Sequence, residues 1–168
     1  MSRPPASGTM VLSSGGTVAA IMRLELSRRG DYAVRAMLAL AALYGEPMRV
    51  SARRISGLMA IPSRFLPHVM HDLSQAGLVE GRIGRSGGYR LAREPSRITL
   101  LEIVEAAEGN GGPPTCVLRG GPCLPDGRCA VHDLFAAARA AVRERLAATT
   151  LEDVPMDWET FGPRARRP

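Results

Sequence analysis

Between Ser51 and Gly77 two short apolar runs recur at helical spacing, separated by the break Ala60-Ile61-Pro62-Ser63. In the first run Ala52, Ile55 and Met59 fall on one stripe behind Ser51, a side chain suited to capping a helix. Arg53, Arg54 and Ser56 are expected to point away from that stripe. In the second run Phe65, Leu66, Val69, Met70 and Leu73 form an apolar face ending near Gly77. The pattern predicts a helix, a tight turn and a second helix. Ahead of it, Asp31 to Leu43 (DYAVRAMLALAAL) reads as a dense apolar helix destined for the core, ended by Tyr44-Gly45-Glu46-Pro47. Pro67 conflicts with the interior of the second helix unless that helix begins late.

The outer face of the second helix carries Arg64, His68, His71 and Gln75 at spacings of four, three and four. Such spacing stacks four hydrogen-bonding side chains along one exposed stripe. Leu78 to Ile83 and Tyr89 to Leu91 then read as two strands around Gly84-Arg85-Ser86-Gly87-Gly88, a hairpin bearing Arg82, Arg85 and Arg90. A helix-turn-helix followed by a basic hairpin is a winged reader of double-stranded DNA, in which arginines hold phosphates and a few side chains reach base edges. Arg53, Ser63, Arg64, His68, His71, Arg82, Arg85, Ser86 and Arg90 are the candidate contacts. The plain alternative is a helical or protein-interaction module whose arginines only solvate its surface.

Charge placement supports the DNA reading. All 22 basic residues are Arg, and residues 22–97 hold 13 of them against 6 acids, whereas the rest of the chain holds 9 against 10. A basic segment joined to a nearly neutral one points to a polyanion reader attached to something that regulates or dimerises it. The absence of Lys removes Schiff-base chemistry and the P-loop clamp. No Ser-His-Asp arrangement or paired carboxylates stand out, and Gly84 to Gly88 lacks dinucleotide-site spacing, so no enzyme is expected. The longest apolar run, Ala36 to Tyr44, is too short to span a bilayer.

Thr99 and Glu102 form a capping box before the stripe Leu100, Ile103, Val104 and Ala107. Residues 109–128 then hold six Gly and four Pro, a composition that resists helix and strand and calls for a staple. Cys116, Cys123, Cys129 and His132 supply one. Cys129 and His132 stand three apart at the start of a helix and can face one site. Three thiolates and an imidazole suit an iron–sulfur cluster or a structural zinc, and the wide spacing leaves room for the larger inorganic core. His68 and His71, with no Cys or further His near them in sequence, read as groove contacts instead. The odd cysteine count argues against a disulfide framework, and with no signal peptide legible the expected location is a reducing cytoplasm. From Ala130 to Thr149 a long Ala-rich helix carries Val131, Leu134, Phe135, Ala138, Val142 and Leu146, a stripe expected to pair with a second subunit.

These segments together resemble the Rrf-type family of bacterial winged-helix regulators, with its IscR, NsrR and RirA branches. The resemblance covers about residues 22–154. It rests on MRLELSRRGDYAVRAMLALA, IPSRFLPHVMHDLSQAGLV, GRSGGYRL, ITLLEIVEAAEG and the cysteine stretch ending in CAVHDLF. It implies a mainly α fold, a winged helix-turn-helix with a two-stranded wing and a long C-terminal dimerisation helix. It also implies a homodimer on palindromic promoter DNA, usually a repressor, sensing iron, redox state or nitric oxide. Cys116, Cys123 and Cys129 occupy the family's thiolate positions. His132 stands at the fourth-ligand position of the 2Fe-2S branch, and Asp31 falls near the place where another branch supplies a carboxylate to a 4Fe-4S cluster. The expected organisation is a flexible tail (1–21), the DNA-binding domain (22–97), the cluster loop and dimerisation helix (98–154) and a second flexible tail (155–168).

Overall fold

The computed structural model describes residues 25–84, 87–109 and 130–156. Helix α1 spans Arg28–Ala42 and starts three residues before the apolar run, because the Ser27 hydroxyl accepts a hydrogen bond from the Gly30 N–H and caps it. Asp31 in its first turn also opposes the positive end of the helix dipole. Helix α2 (Ala52–Leu58) is capped by Ser51, whose hydroxyl accepts from the Arg54 N–H. Helix α3 covers Leu66–Gln75. It begins late enough to place Pro67 in its first turn, where the missing N–H has no partner to lose, and the conflict posed by that residue disappears.

Strands β1 (Val79–Arg82) and β2 (Gly88–Leu91) form an antiparallel hairpin with Glu80 opposite Arg90 and Arg82 opposite Gly88. The first strand stops one residue short of expectation, leaving the Ile83 side chain fully in solvent. Val50 adds an unforeseen rung: its N–H donates to the Tyr89 carbonyl at 2.9 Å and its carbonyl accepts from the Tyr89 N–H at 2.8 Å. Gly88 permits this approach, since a Cβ there would lie 2.6 Å from the Val50 oxygen.

After a 3-10 turn at Pro95–Arg97, helix α4 (Leu100–Glu108) opens with the full capping box, Thr99 and Glu102 each bonding the other's backbone. Helix α5 runs His132–Ala148. The chain after it returns to α4: the Leu100 N–H donates to the Thr149 carbonyl and the Leu151 N–H to the Ile98 carbonyl, both at 2.9 Å. These two bonds tie the chain after α5 to the start of α4.

The core is shared between the segments. Met37, Ile55, Met59, Leu66, Met70, Leu73, Leu78, Ile98 and Ile103 are fully buried together, so α4 packs on α1 and α3 rather than forming a separate core. Leu151 is buried in the same cluster, and Met156, in the segment expected to be a tail, packs half-buried against it. Among the described residues no helix is long and apolar enough to cross a membrane.

Candidate DNA-binding face and cysteine site

Arg64, in the turn just before α3, and His68, His71 and Gln75 on the helix are all exposed, away from the buried Leu66, Val69, Met70 and Leu73. The structure corrects two neighbours. Ser56, expected to point outward, is buried: its hydroxyl donates to the Ile61 carbonyl at 2.5 Å and lies 3.3 Å from the Ser63 hydroxyl. A polar side chain was needed inside because the turn bends a carbonyl inward there, and an unpaired buried carbonyl is costly. Ala60 takes a positive φ of 51° in the same turn. Phe65, expected in the apolar face, is instead 36% exposed, with its ring 5.8 Å from that of Tyr32 on α1.

That ring has an electrostatic use. The Arg64 guanidinium sits 4.8 Å from the Phe65 centroid, and no acid pairs with Arg64 among the described residues. Stacking on an aromatic face leaves the in-plane N–H donors of a guanidinium available for bases or phosphates. On the other flank, His68 joins Arg28, Arg29, Tyr32, Phe65 and Val69 around a shallow, mostly apolar pocket.

The arginines near the wing are handled differently. Glu80 accepts from Arg90 at 2.8 Å and pairs with Arg49 at 3.2 Å, and these two guanidiniums hold its carboxyl below the usual range, Arg90 contributing most. Arg54, exposed as expected, is paired with Glu46 at 2.7 and 3.0 Å, which lowers the Glu46 carboxyl pKa. Arg53 and Arg82 are exposed without acidic partners among the described residues, Arg53 beside Ser63 and Arg82 in a hollow with Arg49 and Arg90. Sequence spacing gave no sign of the Glu80 and Glu46 clamps, since their partners lie 8 to 31 residues away. Arg85 and Ser86 lie outside the described residues.

So do Cys116, Cys123 and Cys129. His132 is the first residue of α5, half-buried, with no hydrogen-bond partner among the described residues. Asp31 is occupied: both its oxygens face Arg35, at 2.8 and 2.6 Å, and Arg35 reaches on to the Met59 carbonyl at the end of α2. Among the described residues no three His, Cys, Asp or Glu side chains gather closely enough to hold a metal.

The end of α4, which leads toward the cysteine stretch in sequence, is tied to the start of α1. Glu108, the last residue of α4, accepts a hydrogen bond from the Ser27 N–H at 2.9 Å, and its oxygen fills the space a Cβ on Gly30 would need. Two residues along α1 from Ser27, Arg29 forms an ion pair with Asp72 of α3.

Residues 26–157 match the profile of the Rrf2 family, described as an iron-dependent transcriptional regulator. The chain is similar to the HTH-type transcriptional regulator NsrR of Shouchella clausii, 30% identical over 135 residues that span 80% of this chain and 90% of that one. It is similar to the HTH-type transcriptional regulator CymR of Bacillus subtilis at 33% identity, over 78% of this chain and 89% of that one. Among solved structures, CymR, the global cysteine regulator of B. subtilis, superposes with a TM-score of 0.65 at 33% identity, covering 78% of this chain and 95% of that one. T. potens IscR does so with a TM-score of 0.65 at 30% identity, covering 79% and 87%.

Proposed function

The chain belongs to the Rrf2 family of winged-helix transcriptional regulators, and from that premise we propose a homodimeric, cytoplasmic repressor of promoter DNA whose grip is set by an iron–sulfur cluster reporting iron, redox state or nitric oxide. The observation that carries the DNA part is the exposed stripe on α3, with Arg64 held by an aromatic ring rather than by an acid. In this reading residues 22–97 read the operator, Arg64 and His71 selecting bases, Ser63 and His68 beside them, and Arg53, Arg82, Arg85, Ser86 and Arg90 engaging the backbone. Residues 98–154 supply the cluster loop and the dimer contact.

Homodimerisation is supported by α5, a helix of 17 residues that buries none of them within one chain. Leu134 is 69% exposed and Val142 37% exposed on it. An apolar stripe of this kind is stable in water once a second copy covers it.

For the cofactor, the donor set fits: Cys116, Cys123 and Cys129 offer three thiolates, and His132 offers an imidazole free of other partners among the described residues. A 2Fe-2S cluster is the first choice because Asp31, the alternative fourth ligand and the one suited to 4Fe-4S, would first have to leave Arg35. Bound there, the cluster supplies redox and ligand-exchange chemistry. The protein's part is mechanical. Ordering the Gly/Pro-rich loop fixes the end of α4, Glu108 fixes the start of α1, and the Arg29–Asp72 pair carries that position to α3. Ligation thus contributes folding free energy that selects one state of the dimer.

Anaerobic purification followed by iron and sulfide analysis and a visible spectrum tests the cofactor. A colourless, sulfide-free protein with one zinc per chain refutes it. Spectra of H132A and D31A identify the fourth ligand. On DNA, R85A is expected to weaken binding to all sequences and to flatten its salt dependence by about one unit, whereas R64A or H71A changes which site is preferred. Footprinting of its own upstream region, cluster-loaded against cluster-stripped, tests control: equal binding by both forms removes it.

A further inference from the structure

An apolar hollow lies beside the exposed stripe of α3. Arg28, Arg29 and Tyr32 stand three or four apart along the first turns of α1, and Phe65, His68 and Val69 stand in the same relation at the start of α3. The two sets face each other across about 310 Å³, at the lower end of small-molecule sites, roughly 300–1,000 Å³. The walls are the Tyr32 and Phe65 rings, tilted 36° to one another, and the buried Val69. Beyond the Tyr32 phenol the polar groups are two guanidiniums and an imidazole, with no carboxylate among the described residues around them. Arg29 is engaged by Asp72 of α3, whereas Arg28 is exposed and has no acidic partner among the described residues. An aromatic body against the rings and a negative end at Arg28 would satisfy both halves of this lining.

We propose that this hollow is an effector site for a small aromatic carboxylate, whose binding weakens the hold on DNA. The second half rests on α3 being the DNA-reading helix, as proposed above. Phe65 is the link. The ring that walls the hollow also carries the Arg64 guanidinium, 4.8 Å from its centroid, although Arg64 itself does not line the hollow. His68 belongs both to the hollow and to the exposed stripe. A carboxylate seated at Arg28 adds negative charge beside the side chains assigned to DNA, where affinity comes largely from neutralising phosphates. The bound anion and the phosphates then repel, so the ligand favours the DNA-free protein and shifts the equilibrium toward it.

Benzoate is the probe, titrated calorimetrically into the full-length protein at constant ionic strength, with acetate supplying the charge alone and benzyl alcohol the ring alone. Saturable binding is expected for benzoate and for neither control. Arg28→Met keeps an apolar stem and removes the charge; it is expected to weaken benzoate about tenfold, as for the loss of one hydrogen bond to a charged group. Saturating benzoate should raise the Kd for a duplex selected by the wild-type protein from random sequence by about fivefold. The benzoate concentration needed for that effect should rise about tenfold in R28M. The three ligands on the wild-type protein stand by themselves should R28M fold poorly. Absence of saturable benzoate binding overturns the site and leaves the DNA-binding reading intact. Acetate or benzyl alcohol binding as well as benzoate overturns the ligand class, and benzoate binding undiminished in R28M overturns the placement at Arg28. Binding with no change in duplex affinity overturns the effector role, and failure to enrich any duplex overturns that role together with the DNA-binding reading, while calorimetry still decides the site.

Discussion

Helices α1 and α5 are both Ala-rich and of similar length, 15 and 17 residues, yet α1 buries seven residues and α5 none. Both form because Ala, Leu, Arg and Glu favour helix locally. The difference lies in what covers them. α1 packs against α2, α3, α4 and β2, and its buried Ala33, Ala36 and Ala39 let those neighbours approach closely. α5 has α4 as its chief neighbour within the chain, pinned by the Arg143–Glu105 ion pair at 2.6 Å, and keeps Leu134 in solvent. Helical periodicity therefore reports a face to be covered, without saying which molecule covers it.

The sharpest way to break this contrast is to charge the open face of α5. If α5 forms the proposed homodimer, Leu134→Glu combined with Val142→Glu is expected to give a monomer by light scattering and to abolish binding to the proposed two-fold operator, with the helical content retained. Dimers that persist would show that α5 is covered by its own chain. The next largest effect belongs to α1: Met37, fully buried, should cost about 2–5 kcal/mol when changed to Ala, measured by urea unfolding in the L134E/V142E background.

A smaller change separates local from tertiary stabilisation. Thr99→Ala removes one half of the α4 capping box, with an expected loss of about 1 kcal/mol. It also alters the pH response. Burial pushes the Glu102 carboxyl up, but hydrogen bonds from the Thr99 N–H, from Arg93 and from the Thr99 hydroxyl outweigh it and hold the pKa below its usual value. A carboxylate with a depressed folded pKa stabilises the fold above the ordinary range and loses that contribution as the pH falls through the depressed value. Wild-type melting temperature should therefore drop more steeply on acidification through the carboxylate range than that of T99A. Equal slopes would assign the acid sensitivity elsewhere. The smallest expected effect is a gain: Ala60→Gly relieves a positive φ of 51° and should stabilise by about 0.5–1 kcal/mol, because L-residues pay for that conformation and glycine does not. A loss would mean that the Ala60 methyl packs in the turn.

Much of the proposed DNA-facing side was legible. Ser51, the break at Ala60 to Ser63, the stripe from Arg64 to Gln75, the capping box and the hairpin are signals written within a few residues, and each element formed where its local chemistry placed it, to within three residues. Errors arose where a residue answers to a distant partner. The polarity of Ser56 predicts exposure, but the Ile61 carbonyl draws it inward. The spacing of Phe65 puts it in the apolar face, but its ring lies partly exposed between Arg64 and Tyr32. The hairpin likewise hides a long-range pairing: Glu80, directly across from Arg90, is shared by Arg90 and by Arg49 from outside the hairpin.

The sequence by itself determined where helices start and stop and which face of each is apolar, because caps, turns and periodicity act between residues at most a few positions apart. Only the tertiary structure decided which arginines keep their charge for a ligand, which polar side chain goes inside, and that the chain leading into the cysteine stretch is tied through Glu108 to the start of α1. Those outcomes depend on pairs 5 to 81 residues apart, whose electrostatics and packing exist only once the chain has brought them within about 3 Å.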